Sequence, residues 1–207
     1  MTKILIPYYS SYGHVFQLAK AVEEGASRVE GAEVRLVKIP EFKEVKEAMS
    51  AQEAYVEAQK AQNSIQEATH DDLVWADGIV WGFPTRYGNM PAQAKQFLDS
   101  AGGLWANGSL EGRVTSVFTS TGSIHGGQET TILTSLVPLL HFGLIYVGLP
   151  YGENQEQLTT DGIGGSPYGV STVAGPDGSN GLDERELTMA KRLGERVANV
   201  AAKLSNE

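Results

Sequence analysis

Three short segments of this chain hold the residue types that bind a charged, flat ligand. The first is Ser10-Ser11-Tyr12-Gly13-His14-Val15. Its two hydroxyls stand beside the unused N–H groups that open a helix, and together these make an anion site. It has neither the lysine of a Walker loop nor the spacing of a GxGxxG turn. Hydroxyls and amides without a lysine suit a phosphate monoester. The second segment, Pro84-Thr85-Arg86-Tyr87-Gly88-Asn89, lies in a stretch punctuated by Gly82, Pro84, Gly88 and Pro91. Such punctuation fixes an unusual backbone path, whose amides can meet the carbonyls and nitrogens of a planar ring, with Tyr87 flanking its plane. The third is Ser120-Thr121-Gly122-Ser123-Ile124-His125-Gly126-Gly127. Its small residues let the backbone approach a flat ligand closely, and its hydroxyls offer hydrogen bonds.

Each segment also has an ordinary structural reading: a capping serine, a solvated Arg86, glycines present for steric reasons. Their placement is what argues for a site. Residues 3–9, 34–39, 79–81, 114–119 and 144–149 are short apolar runs of the kind that form strands covered on both faces. Helical patterns alternate with them. One begins at Val15, one at Pro91, and one spans Ile132 to Leu140, where Pro138 is expected to kink or shorten it. The last opens on a capping box of Asp183 and Glu186, with Leu182 and Leu187 as a hydrophobic staple. The alternation predicts an α/β fold: a flavodoxin-like, doubly wound, five-stranded parallel sheet with helices on both faces, as a single domain over residues 1–207. Ligands of such sheets bind beyond the carboxyl ends of the strands, where the strand order reverses. The three segments follow the first, third and fourth strands, so they fall where that rule puts a ligand.

Two stretches stand outside this scheme. Residues 43–68 are rich in helix-forming Ala, Glu, Gln and Lys with few apolar anchors, which predicts a peripheral helical insertion. Residues 159–181 carry seven glycines and two prolines and read as a long loop, of the kind that is usually functional. A formal net charge of −9 disfavours a nucleic-acid partner, whose phosphates call for Lys and Arg. There are no cysteines, and His14, His70, His125 and His141 lack ligand spacing, so no metal site is expected. No apolar run is long enough for a bilayer, and Met1 leads directly into a strand without a cleavage site, so the expectation is a cytoplasmic protein with no membrane partner. Trp105, in Gly102-Gly103-Leu104-Trp105, sits in a glycine-flanked loop and is a candidate ligand contact.

The chain resembles the tryptophan-repressor-binding-protein (WrbA) type of NAD(P)H:quinone oxidoreductases, which are flavodoxin-like FMN enzymes. The likeness runs over almost the whole length. It is carried by Tyr8-Tyr9-Ser10-Ser11-Tyr12-Gly13-His14, Pro84-Thr85-Arg86-Tyr87-Gly88-Asn89-Met90, Gly102-Gly103-Leu104-Trp105, Ser120-Thr121-Gly122 with Gly126-Gly127-Gln128-Glu129, and Gly164-Gly165-Ser166-Pro167-Tyr168-Gly169. The resemblance implies FMN as cofactor, NADH or NADPH as electron donor, and two-electron, ping-pong reduction of quinones to hydroquinones. It implies that residues 10–15 hold the FMN phosphate, and that residues 85–87 and 120–126 line its ribityl chain and ring. It further implies that His141 reaches the flavin, that Tyr12 touches the nicotinamide, that Trp105 walls the quinone pocket, and that the protein is a homotetramer. Ser123-Ile124-His125 departs from the family pattern, which leaves contacts there open. The alternative is a flavodoxin-type one-electron carrier, which the acidic charge would also fit.

Overall fold

The computed structural model describes residues 1–205. The apolar runs form parallel strands β1 (Thr2–Tyr8), β2 (Ala32–Lys38), β3 (Gly78–Pro84), β4 (Val114–Thr121) and β5 (Ile145–Tyr146). They lie in the order β2-β1-β3-β4-β5, which reverses between β1 and β3. The intervening helices are α1 (His14–Ala26), α2 (Lys43–Met49), α3 (Glu53–Lys60), α4 (His70–Trp75), α5 (Ala92–Ser100), α6 (Gly102–Ala106), α7 (Gln128–His141) and α8 (Glu184–Leu204).

Side chains on a strand alternate in direction, and here both directions are apolar. Ile4, Ile6 and Tyr8 of β1, with Val80 of β3, pack beneath Leu18 and Val22 of α1 and Leu193 and Val197 of α8. Leu5, Ile79, Trp81 and Phe83 point the other way, against Leu73 of α4, Phe97 and Leu98 of α5, and Ile132 of α7. Two apolar layers therefore hold the sheet between helices, as the patterning predicts.

On the first layer α1 and α8 approach closely through small residues. A Cβ added to Gly194 would lie 2.0 Å from the Val22 carbonyl oxygen, and one added to Gly25 would lie 1.8 Å from the Lys191 carbonyl oxygen. The start of α8 is set by the expected capping box on Asp183. Its Glu186 does more than cap: the buried carboxylate also accepts from Gly164 N at 2.8 Å and from Thr172 Oγ1 at 2.6 Å.

Those bonds reveal a departure from the sequence reading. The stretch 159–181 contains a strand, β6 (Val170–Val173). β5 pairs only with Val114 and Thr115 at the start of β4, while β6 pairs with Phe118 to Thr121 at its end. The edge position is thus filled by two pieces of chain, with residues 147–169 looping out between them. The first piece has left β4 by Leu149, whose N–H bonds Pro167 O at 2.9 Å. Pro138 does not shorten the helix, since α7 runs through it to His141. Its missing N–H removes the usual helical donor from the carbonyl of Thr134, in the middle of α7.

Gly194→Ala is expected to lower unfolding stability by about 1–3 kcal/mol through overpacking. Gly103→Ala, whose added Cβ meets nothing within 4 Å, should not lower it. Denaturant melts of the two variants make the comparison.

Candidate functional site

Beyond the carboxyl ends of β1, β3, β4 and β6 lies a cavity of about 530 Å³. That size falls in the range of small-molecule sites, roughly 300–1,000 Å³. Its wall includes Ser10, Ser11, Tyr12, His14 and Val15 from the first segment, Pro84, Thr85 and Arg86 from the second, and Ser120, Thr121 and Gly122 from the third. The strand tips bring the three predicted segments to one place.

The first segment is shaped by Gly13, whose φ of 95° lies in the region that side chains disfavour. This bend lets Gly13 N donate to Ser10 Oγ at 3.1 Å and start α1. The first backbone bond of that helix runs from Gln17 N to Gly13 O, at 3.0 Å. The helix therefore makes no use of the N–H groups of His14, Val15 and Phe16, and its dipole adds partial positive charge at this end.

A buried polar network lies underneath. The Tyr9 hydroxyl donates to Glu41 Oε2 at 2.6 Å and accepts from Ser11 Oγ and Gln93 Nε2, both at 3.2 Å. Glu41 Oε1 takes Gln93 Nε2 at 2.7 Å and Phe42 N at 2.9 Å. Burial, and then the bond to Glu41, push the Tyr9 phenol above its ordinary range, so it stays protonated and keeps donating. On the outer side, α3 packs over the loop. Gln59 Nε2 donates to the carbonyls of Ser10 and Ser11 at 2.8 and 3.1 Å, the Tyr12 hydroxyl donates to Gln52 Oε1 at 2.8 Å, and Ala54 joins the cavity wall. The insertion, mostly exposed, also covers the first segment.

In the second segment, Thr85 N bonds Ser120 O at 2.8 Å, tying it to the third. Arg86 and Asn89 exchange backbone bonds of 2.8 and 3.1 Å around Tyr87 and Gly88. Both central residues have positive φ, 55° and 77°, as in a tight hairpin turn. Tyr87 is thereby thrown fully into solvent, outside the cavity wall, and Gly88 and Asn89 shape the turn without lining it. Arg86 Nη2 reaches Ser11 Oγ at 3.4 Å and places a guanidinium at the rim.

The third segment turns away after Gly122, where Thr121 Oγ1 donates to Ser123 O at 2.9 Å. Ser123, Ile124, His125, Gly126 and Gly127 consequently stand off the wall, and Gly127 caps α7. A fourth segment, from the glycine-rich stretch expected to be functional, completes the cavity: Ala174, Gly175, Pro176, Asp177 and Gly178 follow β6, a strand the sequence reading missed, and Ala174 N bonds Thr121 O at 2.8 Å. The available signals were the β-branched Val170, Thr172 and Val173 and the turn-forming Pro176-Asp177-Gly178. Asp177 spends its carboxylate on Ser179 Oγ and N, at 2.7 and 3.1 Å, which holds it below the usual carboxylate range. His14 Nε2 meets Asn180 O at 2.9 Å and pins this segment to α1.

Two expected contacts are not brought to the cavity by this chain. A helix that follows a parallel strand runs back along the sheet, so its last residues lie at the opposite edge. His141 ends α7, whose 14 residues span about 20 Å, and Trp105 lies beyond α5, whose nine residues span about 13 Å. Neither lines the cavity, and Trp105 is exposed.

The donor set fits FMN. The hydroxyls of Ser10 and Ser11 and the start of α1 are donors suited to a phosphate, and the small side chains of Thr85, Ser120 and Thr121, with Gly122, leave room in the same wall for a flat ring. Among the described residues no group of three or more His, Asp or Glu side chains is placed to hold a metal. Gly13→Val is expected to weaken FMN binding about tenfold or more, since a side chain at that φ costs about 1–2 kcal/mol. Flavin fluorescence titration measures it, and an unchanged affinity would remove the first segment from the site.

Comparison with known proteins agrees with this geometry. The model of the NADPH-dependent FMN reductase family matches residues 9–151. A protein of Geotalea uraniireducens named NAD(P)H dehydrogenase (quinone) is 48% identical over 205 residues, covering 98% of this chain and 99% of the relative. A protein of the same name from Methanosarcina acetivorans is 48% identical over 213 residues and the full length of both. Among solved structures, a flavodoxin, WrbA-like protein from Agrobacterium tumefaciens superposes with a TM-score of 0.68 at 23% identity, covering 98% of this chain and 99% of that one, a likeness of fold. The chain belongs to the NADPH-dependent FMN reductase family, beside relatives named NAD(P)H dehydrogenase (quinone).

Proposed function

We propose that the chain is an FMN-dependent NAD(P)H dehydrogenase that reduces quinones. The net reaction joins NAD(P)H, one proton and a quinone to give NAD(P)⁺ and a hydroquinone. The observation that carries this reading is the convergence of four strand-end segments on one cavity whose donors are amides and hydroxyls. When bound, FMN supplies the two-electron chemistry. The protein's part is to hold and orient. Residues 10–15 meet the phosphate, residues 84–86 and 120–122 flank the ring, and the Tyr12 ring stands half-exposed at the rim, where a nicotinamide would pass.

A single opening serves both substrates in this reading, so donor and acceptor bind in turn. A homotetramer supports the contacts that one chain leaves undone. Leu133, Val137 and Leu140 form an exposed stripe at helical spacing on α7, suited to a second copy, and His141 and Trp105 would then serve a neighbouring cavity. Dependence on NAD(P)H fits the cytoplasm, and among the described residues no helix is long and apolar enough to cross a membrane.

Two measurements test these points. Reconstituted with FMN, the protein should convert one quinone per NAD(P)H and give parallel double-reciprocal lines; intersecting lines would contradict a shared opening. Sedimentation should show a tetramer, which Val137→Glu should reduce to smaller species. A monomeric wild-type protein would end the oligomer proposal.

A further inference from the structure

The insertion over the first segment has an unusual relation to it. Gln59 sits on α3, about fifty positions away in sequence, yet its single Nε2 donates to two consecutive backbone carbonyls, Ser10 O at 2.8 Å and Ser11 O at 3.1 Å. Gln62 Nε2 adds a longer bond to Ser10 O at 3.4 Å, and its own anchor is Ala58 O at 2.8 Å. Contact between the two parts is close, since a Cβ on Gly13 would lie 3.8 Å from Ala58 Cβ.

A trans peptide is planar, with its C=O and the following N–H pointing in opposite directions. Drawing Ser10 O outward to Gln59 therefore turns Ser11 N–H inward, and drawing Ser11 O outward turns Tyr12 N–H inward. Both residues line the cavity. We propose that Gln59 is a positioning residue for the FMN phosphate: by holding two successive carbonyls away from the cavity, it presents two successive amides to the anion. Without that side chain Ser10 O keeps only the longer bond from Gln62 and Ser11 O loses this donor, so the two peptide planes are held less firmly, and a carbonyl that turns to face the phosphate repels it. The remote insertion thus sets affinity for the phosphate and leaves affinity for the ring alone.

This inference rests on FMN being the ligand, and riboflavin separates the two claims, because it keeps the ring and lacks the phosphate. The apoprotein is titrated with FMN and with riboflavin, following flavin fluorescence. Wild-type protein that fails to bind FMN would refute the functional reading itself. In Gln59→Met, FMN affinity should fall about tenfold, the worth of two modest hydrogen bonds, with riboflavin affinity unchanged. Gln59→Glu keeps a strong helix former and a polar side chain, so α3 is retained, but an ionised carboxylate accepts where Gln59 donates. It should lose more FMN affinity than Gln59→Met and again spare riboflavin. Equal losses for both flavins, or no loss for either, would overturn the assignment and leave Gln59 a surface contact of the insertion.

Discussion

A phosphate dianion leaving water has to be met by hydrogen-bond donors, and in the proposed site those donors are backbone amides instead of a lysine. Amides cannot be aimed by choosing a residue type. They are aimed by fixing the peptide planes, and that demand explains features lying far apart in the sequence. Gly13 supplies the positive φ that ends the loop and starts α1. Ser10 closes the turn through its hydroxyl. Tyr9 and Glu41 anchor the loop from below, and Gln59 draws its carbonyls away from above. A short polar segment is held between a buried network and a covering helix.

The sheet decides where that segment meets the others. Because all strands run parallel, their carboxyl ends share one edge, and the reversal of order between β1 and β3 opens a crevice there. The close packing of α1 on α8 through Gly25 and Gly194 fixes the helix whose start borders the cavity. Glu186 connects this support to the far side of the cavity, since it caps α8 while gripping Gly164 and Thr172 around β6. Residues 174–178 are carried into the wall by that strand.

Legibility in the sequence followed the range of the interaction. Local signals were clear: the alternating apolar strands, the capping box at Asp183, and the hydroxyl and glycine content of the three loops. Interactions between distant parts were not. The pairing of β6 with the end of β4 depends on register, which a glycine-rich stretch conceals. Residues 43–68 looked peripheral because they offer little apolar surface, while their contribution is made by the amides of Gln59 and Gln62 and the carbonyl of Gln52. Within the third loop the residue types gave no sign of where the wall ends, which is set by the Thr121 bond to Ser123 O. His141 was placed by family likeness and Trp105 by likeness and its glycine-flanked setting, and the direction of the helices puts both at the other edge of this chain.

Hydrogen exchange of the backbone amides, with and without FMN, tests the central claim most directly. The amides of Ser11, Tyr12, His14 and Val15 should exchange much more slowly once FMN is present, because they become its donors. Equal rates in the two states would mean that the anion is held elsewhere, and the account of the cavity would be wrong.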